Sequence, residues 1–201
     1  MVLLVPCYFA TATGARSESP APQAIYSEHQ DLTYFLAEDG SRQTVQQVAD
    51  WMIRRHHILQ QLQAVMGELP TPRRAVPLDL RVEQSETLPR VERRKISYHT
   101  DSVDQRVSAW LLIPRDIANG RRPAMLCLHQ TAKVGKDEPA GISGSPQLPY
   151  ALELAQRGFV TLAPDYPSLG EYAYDFDTDD YASGSMKAIY DNRRAVDLLQ
   201  G

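Results

Sequence analysis

The sequence predicts an α/β fold in which antiparallel strands lead into a parallel sheet with flanking helices, preceded by an N-terminal helix. Two continuously apolar segments, Pro123 to His129 and Phe159 to Ala163, are separated by a loop and a helical stretch from about Leu148 to Arg157, which makes a strand, crossover, strand unit. Ahead of them stand three segments of β character divided by short loops. Ahead of those, apolar residues recur at helical spacing from Thr44 onward.

The leading helix places Val45, Val48, Met52, Leu59, Leu62 and Met66 on one stripe, which Trp51, Ile58 and Val65 widen. Thr44 with Gln47 reads as a capping box, and Gly67 as the C-terminal stop. His56 and His57 are adjacent, so they project about 100° apart and do not chelate one metal from one helix face; they read as solvated or packing residues. A Pro-rich break, Leu69 to Pro77, precedes strands expected at Leu78 to Glu86, Val91 to His99 and Arg106 to Pro114, whose short connections favour an antiparallel meander. Pro123 to His129 is apolar at every other residue and between, as a strand covered on both faces would be. The helix after it closes at Gly158, and the handedness rule makes the strand at Phe159 to Ala163 parallel to the one before the helix. A last helix, roughly Met186 to Gln200, is expected to turn Met186, Ile189, Tyr190, Val196 and Leu199 to the core.

Chain length and 43% hydrophobic content suffice for one core with an appendage. The expected organisation is a possible signal remnant and linker over 1–23, an N-terminal helical segment over 24–75, and an α/β domain over 76–201. A net charge of -4 gives no electrostatic footprint for nucleic acid, and the clusters Arg54-Arg55, Arg73-Arg74 and Arg93-Arg94-Lys95 are interrupted by apolar residues. Cys7 and Cys127 make no disulfide framework and no metal site. Met1 to Ala15 reads either as the back half of a secretory signal, its basic start lacking, or as a disordered N-terminus, and Ser17 to Gln23 as a linker. Localisation therefore stays open between export and the cytoplasm. No apolar run reaches the ~20 residues of a membrane span.

Chemistry is expected at the carboxyl end of the first apolar strand, Leu126-Cys-Leu-His-Gln-Thr131, because ligands of open α/β sheets bind there. No G-x-S-x-G elbow occurs between Met1 and Gly201. Gly141-Ile-Ser-Gly-Ser145 is not a substitute: no strand leads into it and Pro146 follows, so it reads as a loop. No G-x-G-x-x-G follows either apolar strand. Asp175-Phe-Asp-Thr-Asp-Asp180 alternates oxygens like a calcium loop but has Asp180 where glycine belongs and Met186 where the closing Glu belongs, so it reads as a solvated acidic loop.

These segments, with Gly135-Lys-Asp-Glu-Pro-Ala-Gly141, Tyr150 to Arg157 and Gly158-Phe-Val-Thr-Leu-Ala-Pro-Asp-Tyr-Pro167, resemble the front half of an α/β-hydrolase of the dienelactone-hydrolase-like and acetyl-xylan-esterase-like group of bacterial esterases. The resemblance runs from about Thr44 to Gly201 and implies an incomplete α/β-hydrolase fold. It implies a serine ester hydrolase acting on a small carboxylic ester through an acyl-enzyme, without cofactor or metal, whose Ser, Asp and His come in that order. All three are expected after Gly201, so this chain holds no catalytic residue, needs the missing C-terminal half of the same fold, and is expected to be inactive and insoluble or oligomeric alone. Gln130 and Thr131 are the oxyanion-hole candidates, through backbone N–H groups in the loop after the strand. His129, Asp165 and Tyr166 are candidates for lining the cleft, His129 more as a loop-stabilising hydrogen bonder than as a base and Asp165 also as an acceptor for loop amides. Lys136, Asp137 and Glu138 read as bordering a substrate or as a charged surface loop. The alternative is a non-catalytic α/β binding or scaffolding domain dependent on a partner. Acetylated sugar, lactone and peptide substrates all stay open.

Overall fold

The computed structural model describes residues 24–68, 76–115, 120–178 and 181–201. The expected signal remnant and linker, 1–23, and most of the Pro-rich break lie outside the described residues. The chain forms two compact units, one up to Gln61 and one from Leu62 onward.

The first unit opens with a hairpin for which the sequence reading has no strand: β1 (Tyr34–Leu36) pairs antiparallel with β2 (Arg42–Thr44). Its signal was the dipeptide Asp39-Gly40, since Gly40 takes φ 80° in the turn and the Asp39 carboxylate accepts the Ser41 N–H at 2.9 Å. The helix α1 (Val48–Met66) follows and crosses from the first unit into the second. Thr44 does not cap it, because its backbone belongs to the hairpin ladder; the Asp50 carboxylate takes the N–H groups of Gln46 and Gln47 instead, at 3.0 and 3.1 Å. The stop at Gly67 is as expected, with φ 92° and its N–H on the Gln63 carbonyl at 2.8 Å. The apolar stripe is not a buried face: Val48, Met52, Leu59, Leu62 and Val65 are all exposed, and the buried residue of α1 is Arg54. Its guanidinium lies 3.4 Å from the centre of the Tyr26 ring and donates to the carbonyls of His29 and Asp31, so a cation with aromatic and carbonyl partners replaces an apolar contact. His57 packs as well, its Nδ1 taking the Tyr26 hydroxyl at 2.8 Å.

The second unit is built on a five-stranded sheet, made of β3 (Arg81–Thr87), β4 (Val91–Tyr98), β5 (Val107–Pro114), β6 (Ala124–Leu126) and β7 (Val160–Pro164), in the order β3-β4-β5-β7-β6. The meander β3-β4-β5 is antiparallel and β6 runs parallel to β7, as the connections predict. β5 and β7 are antiparallel. α2 (Tyr150–Gln156) is the crossover between β6 and β7, and α3 (Gly184–Gln200) follows β7.

Alternation along the strands gives the sheet two apolar faces. Trp110, Leu112 and Ala163 pack with Ala151 and Ala155 of α2, where Thr161 also donates its hydroxyl to the Ala151 carbonyl at 3.0 Å. Ala109, Leu111 and Leu162 pack with Ala195, Leu198 and Leu199 of α3. The two helices therefore cover opposite faces.

β6 departs from expectation. It is three residues long rather than seven, and Ala124 and Met125 are exposed, because among the described residues it has a neighbour on one side alone, β7. α3 departs too. Ile189 and Val196 are each 39% exposed, whereas Lys187 and Asp191 are buried. The Lys187 ammonium sits 2.7 Å from Asp191 and 3.0 Å from Asp101, one helical turn and one loop away, and a buried cation is tolerated only when paired in this way. Burial pushes the Asp191 carboxyl above its ordinary range, with the Lys187 charge opposing that shift.

Leu112 and Leu162 are fully buried on opposite faces of the sheet. Leu112→Ala and Leu162→Ala are each expected to lower stability by about 2–5 kcal/mol, read as a lower urea midpoint at unchanged m-value.

Candidate functional site

Beyond β6 the chain makes one more ladder bond, Cys127 N–H to the Leu162 carbonyl at 2.8 Å, and then leaves the sheet. Cys127 is buried and its thiol is pushed up to about 11 by that burial, so it packs as a small hydrophobe. The Tyr150 hydroxyl donates to the Leu128 carbonyl at the strand end.

His129 is buried between two backbone groups. The Tyr166 N–H reaches its Nε2 at 3.1 Å, so Nε2 is the acceptor, and Nδ1 therefore carries the proton that bridges to the Gln130 carbonyl at 2.6 Å. Both ring nitrogens of the neutral imidazole are used, which makes the residue a clasp between the loop after β6 and the loop after β7 and leaves no nitrogen for base catalysis. Its ring also meets the edge of Tyr166, with centroids 4.7 Å apart.

Gln130 and Thr131 are exposed, and among the described residues no protein acceptor takes the backbone N–H of either. The Gln130 side chain is committed, donating to Glu138 at 2.8 Å. The other Glu138 oxygen accepts the Ser145 N–H at 3.0 Å, so one buried carboxylate ties both ends of the loop that holds Ser143 and Ser145. Gly144 is required there: at φ 89°, a Cβ would come within 2.6 Å of Glu138.

Under this loop lies a buried ionic knot. Asp165, directly after β7, accepts the Lys136 N–H at 2.8 Å, the Lys136 ammonium at 2.7 Å and the Glu171 N–H at 2.9 Å. The side chains of Lys136 and Asp165 are 1% and 0% exposed. The ammonium also reaches Glu171 at 3.0 Å, which in turn takes Ser108 at 3.1 Å and Lys95 at 2.7 Å. Burial raises the Glu171 carboxyl, but the bonds from Lys95 and Lys136 outweigh it and bring the group down to about 2. Gly135 and Gly170 flank the Asp165 carboxylate with φ of 55° and 58°; a Cβ on either would stand 2.2 or 2.0 Å from Oδ1. The motif Gly135-Lys136 and the aspartate of Pro164-Asp165 are thus two halves of one structure.

A cleft of about 560 Å³ opens at the end of β6, lined by Leu128, His129, Gln130 and Thr131 on one side, Tyr166, Pro167, Leu169 and Phe176 on another, and Ser185, Ile189 and Asn192 of α3. His129, Gln130, Thr131 and Tyr166 are thereby brought together; Asp165 lies outside the lining, buried beneath the loops. Lys136 and Glu138 are buried, and Asp137 accepts the Trp110 indole N–H at 2.7 Å. Sequence reasoning missed the contribution of α3, for which a run of small and polar residues at Gly184, Ser185, Ala188 and Asn192 was the available signal. In the acidic run, the Asp177 N–H donates to Asp175 at 3.0 Å, while residues 179 and 180 lie outside the described residues. Among the described residues no group of three or more His, Cys, Asp and Glu could hold a metal ion, and no helix is long and apolar enough to cross a membrane.

No known family profile matches the chain and no curated protein does. Among solved structures, a Bacteroides fragilis protein solved as a candidate acetyl xylan esterase matches 86% of this chain and 55% of its own length, at TM-score 0.55 and 19% identity. The chain thus spans about half the length of that protein and shares its fold. Two other solved structures are a hypothetical protein from Pseudomonas aeruginosa (25% identity, 67% of this chain and 35% of that one, TM-score 0.42) and an acetyl xylan esterase from Paenibacillus sp. R4 (17% identity, 70% and 51%, TM-score 0.44). The expected mixed α/β architecture, antiparallel strands leading into a parallel pair with flanking helices, is the architecture observed.

Because the Glu171 pKa falls on folding from 4.5 to about 2, its contribution to stability is complete above about pH 4.5 and is lost as pH drops through about 2. Thermal melts of Glu171→Gln against the unmodified chain are therefore expected to differ most above pH 5 and to converge toward pH 2. Gly170→Ala, strained at φ 58° and clashing with Asp165, is expected to cost at least the ~1–3 kcal/mol of a left-handed non-glycine residue, read by the same melts.

Proposed function

We propose that this chain supplies the oxyanion side of a serine ester hydrolase, and that a further segment of the same fold supplies the nucleophile. The observation that carries the reading is the pair of N–H groups at Gln130 and Thr131, unengaged among the described residues and set in a cleft at the carboxyl end of a strand that among those residues has a neighbour on one edge.

Handedness says where the further segment goes. The crossover from β6 to β7 places α2 on one face of the sheet, and α3 leaves β7 on the opposite face. With both connections right-handed, the strand after α3 steps the other way from β7, past β6 and onto the edge of β6 that has no neighbour among the described residues. That makes β6 the topological switch point, beyond whose carboxyl end open α/β sheets bind ligands. A nucleophile elbow at the end of the new strand would stand beside Gln130 and Thr131.

In that arrangement the serine oxygen bonds to the carbonyl carbon of a carboxylic ester while the histidine takes its proton. The carbonyl oxygen becomes an oxyanion held by an N–H of the loop after β6 and by the N–H following the serine. Collapse expels the alcohol, which receives the proton from the histidine, and water then releases the acid from the acyl-enzyme by the same route. The loop donors supply charge stabilisation of about 3–4 kcal/mol. They do nothing without a nucleophile, so the chain alone is proposed to be inactive, and the edge of β6 that has no partner among the described residues makes it prone to self-association.

Reading the DNA in frame after the Gly201 codon is the direct test. A G-x-S-x-G elbow followed by Asp or Glu and then His supports the reading. A stop codon confirmed in the transcript removes the serine triad and leaves a partner-dependent scaffold. With the downstream segment present, hydrolysis of p-nitrophenyl acetate is expected to exceed the buffer rate and to be abolished by replacing the elbow serine with alanine. Residues 1–201 alone are expected to give the buffer rate and to sediment as oligomers.

A further inference from the structure

The two unengaged N–H groups at the end of β6 are not equivalent. Ala132 N–H donates to the Gln130 carbonyl at 2.7 Å across Thr131. Thr131 has a negative φ, the positive-φ non-glycine residues among those described being Asp79 and Ser168. A bond spanning one residue of negative φ is an inverse γ-turn, with φ near about −75°. His129 donates its Nδ1 proton to the same Gln130 oxygen at 2.6 Å. In a planar trans peptide the N–H lies opposite the C=O, so two donors on the Gln130 oxygen aim the Thr131 N–H away from His129. Among the described residues no donor holds the His129 carbonyl, and the preceding peptide, which bears the Gln130 N–H, lacks that restraint.

The clasp is anchored in turn. His129 Nε2 takes the N–H of Tyr166, which directly follows Asp165, and Asp165 is held by both the N–H and the ammonium of Lys136. Building on the serine hydrolase reading, we propose that the Thr131 N–H, rather than that of Gln130, is this chain's donor to the oxyanion. His129 is then the positioning residue that sets it, and the buried Lys136–Asp165 pair anchors His129. None of the three side chains touches the reacting atoms.

The test uses the protein with its downstream segment and measures kcat and KM separately for p-nitrophenyl acetate, alongside the thermal midpoint. Thr131→Pro deletes the N–H while the proline ring matches the φ of an inverse γ-turn, so kcat is expected to fall about 10²–10³-fold with KM within about threefold. The amide nitrogen of His129→Asn occupies the place of Nδ1 and keeps the bond to Gln130, so it is expected to lose less than about tenfold in kcat; His129→Gln, which reaches the Nε2 position instead, is expected to lose about 10²-fold. This pair decides the matter if Thr131→Pro does not fold. A purely structural role would lower the thermal midpoint of both His129 variants alike and leave kcat per folded molecule unchanged. Retained kcat in folded Thr131→Pro, or equal losses in the two His129 variants, overturns the inference. An unmodified, completed protein with no ester hydrolysis overturns the serine hydrolase reading itself.

Discussion

The carboxylate of Asp165 is the constraint on which the site depends. It lies where two loops leave neighbouring parallel strands, and it binds the backbone of one loop and the ammonium that the same loop carries inward. A buried carboxylate is costly unless it is paired and hydrogen-bonded, and here the Lys136 ammonium, the Lys136 N–H and the Glu171 N–H supply three bonds. The neighbouring glycines exist for this group, since their left-handed backbones clear space that a Cβ would fill. Remove the Asp165 carboxylate and the loop after β6 loses two bonds to the loop after β7, keeping the Lys136 ammonium on Glu171 and the His129 clasp.

On the proposed function, this arrangement meets a general need of oxyanion sites. A donor is useful only if it is already aimed when charge develops, because reorganisation at that moment costs what the donor would supply. Backbone N–H groups are aimed by fixing peptide planes, and here the plane between Gln130 and Thr131 is held by His129 and the Ala132 N–H. The cleft surface itself carries little fixed charge: its lining is aliphatic, aromatic, hydroxyl and amide, while Lys136, Glu138 and Asp165 lie buried near it.

Much of this was legible in the sequence. Apolar runs separated by a Gly-terminated helix predicted the parallel pair β6 and β7, and short loops predicted the meander, because strand period and connection length are local properties. The candidate site was legible as a position, the polar loop following an apolar strand, and the resemblance to α/β-hydrolases singled out Gln130 and Thr131 within it. The α1 stripe misled, since apolar periodicity shows which residues share a face and not what covers that face; the buried member is Arg54, on the aromatic rings of Tyr26 and Tyr34. The hairpin β1–β2 was missed because three-residue strands carry too few alternations to register, although Asp39-Gly40 marked its turn.

The sequence by itself determined the order and type of the main elements and the place where polar chemistry interrupts the apolar strands, because these follow from period, turn residues and chain handedness. The tertiary structure alone decided which charges are buried. Lys136 meets Asp165 across 29 positions and Lys187 meets Asp101 across 86, and no local pattern distinguishes these lysines from solvated ones. It also decided that His129 is a two-sided clasp, since its partners lie one residue away and 37 residues away. Partners distant in sequence come together only when the sheet has assembled, and the identity of each hydrogen-bond acceptor is a property of that assembly.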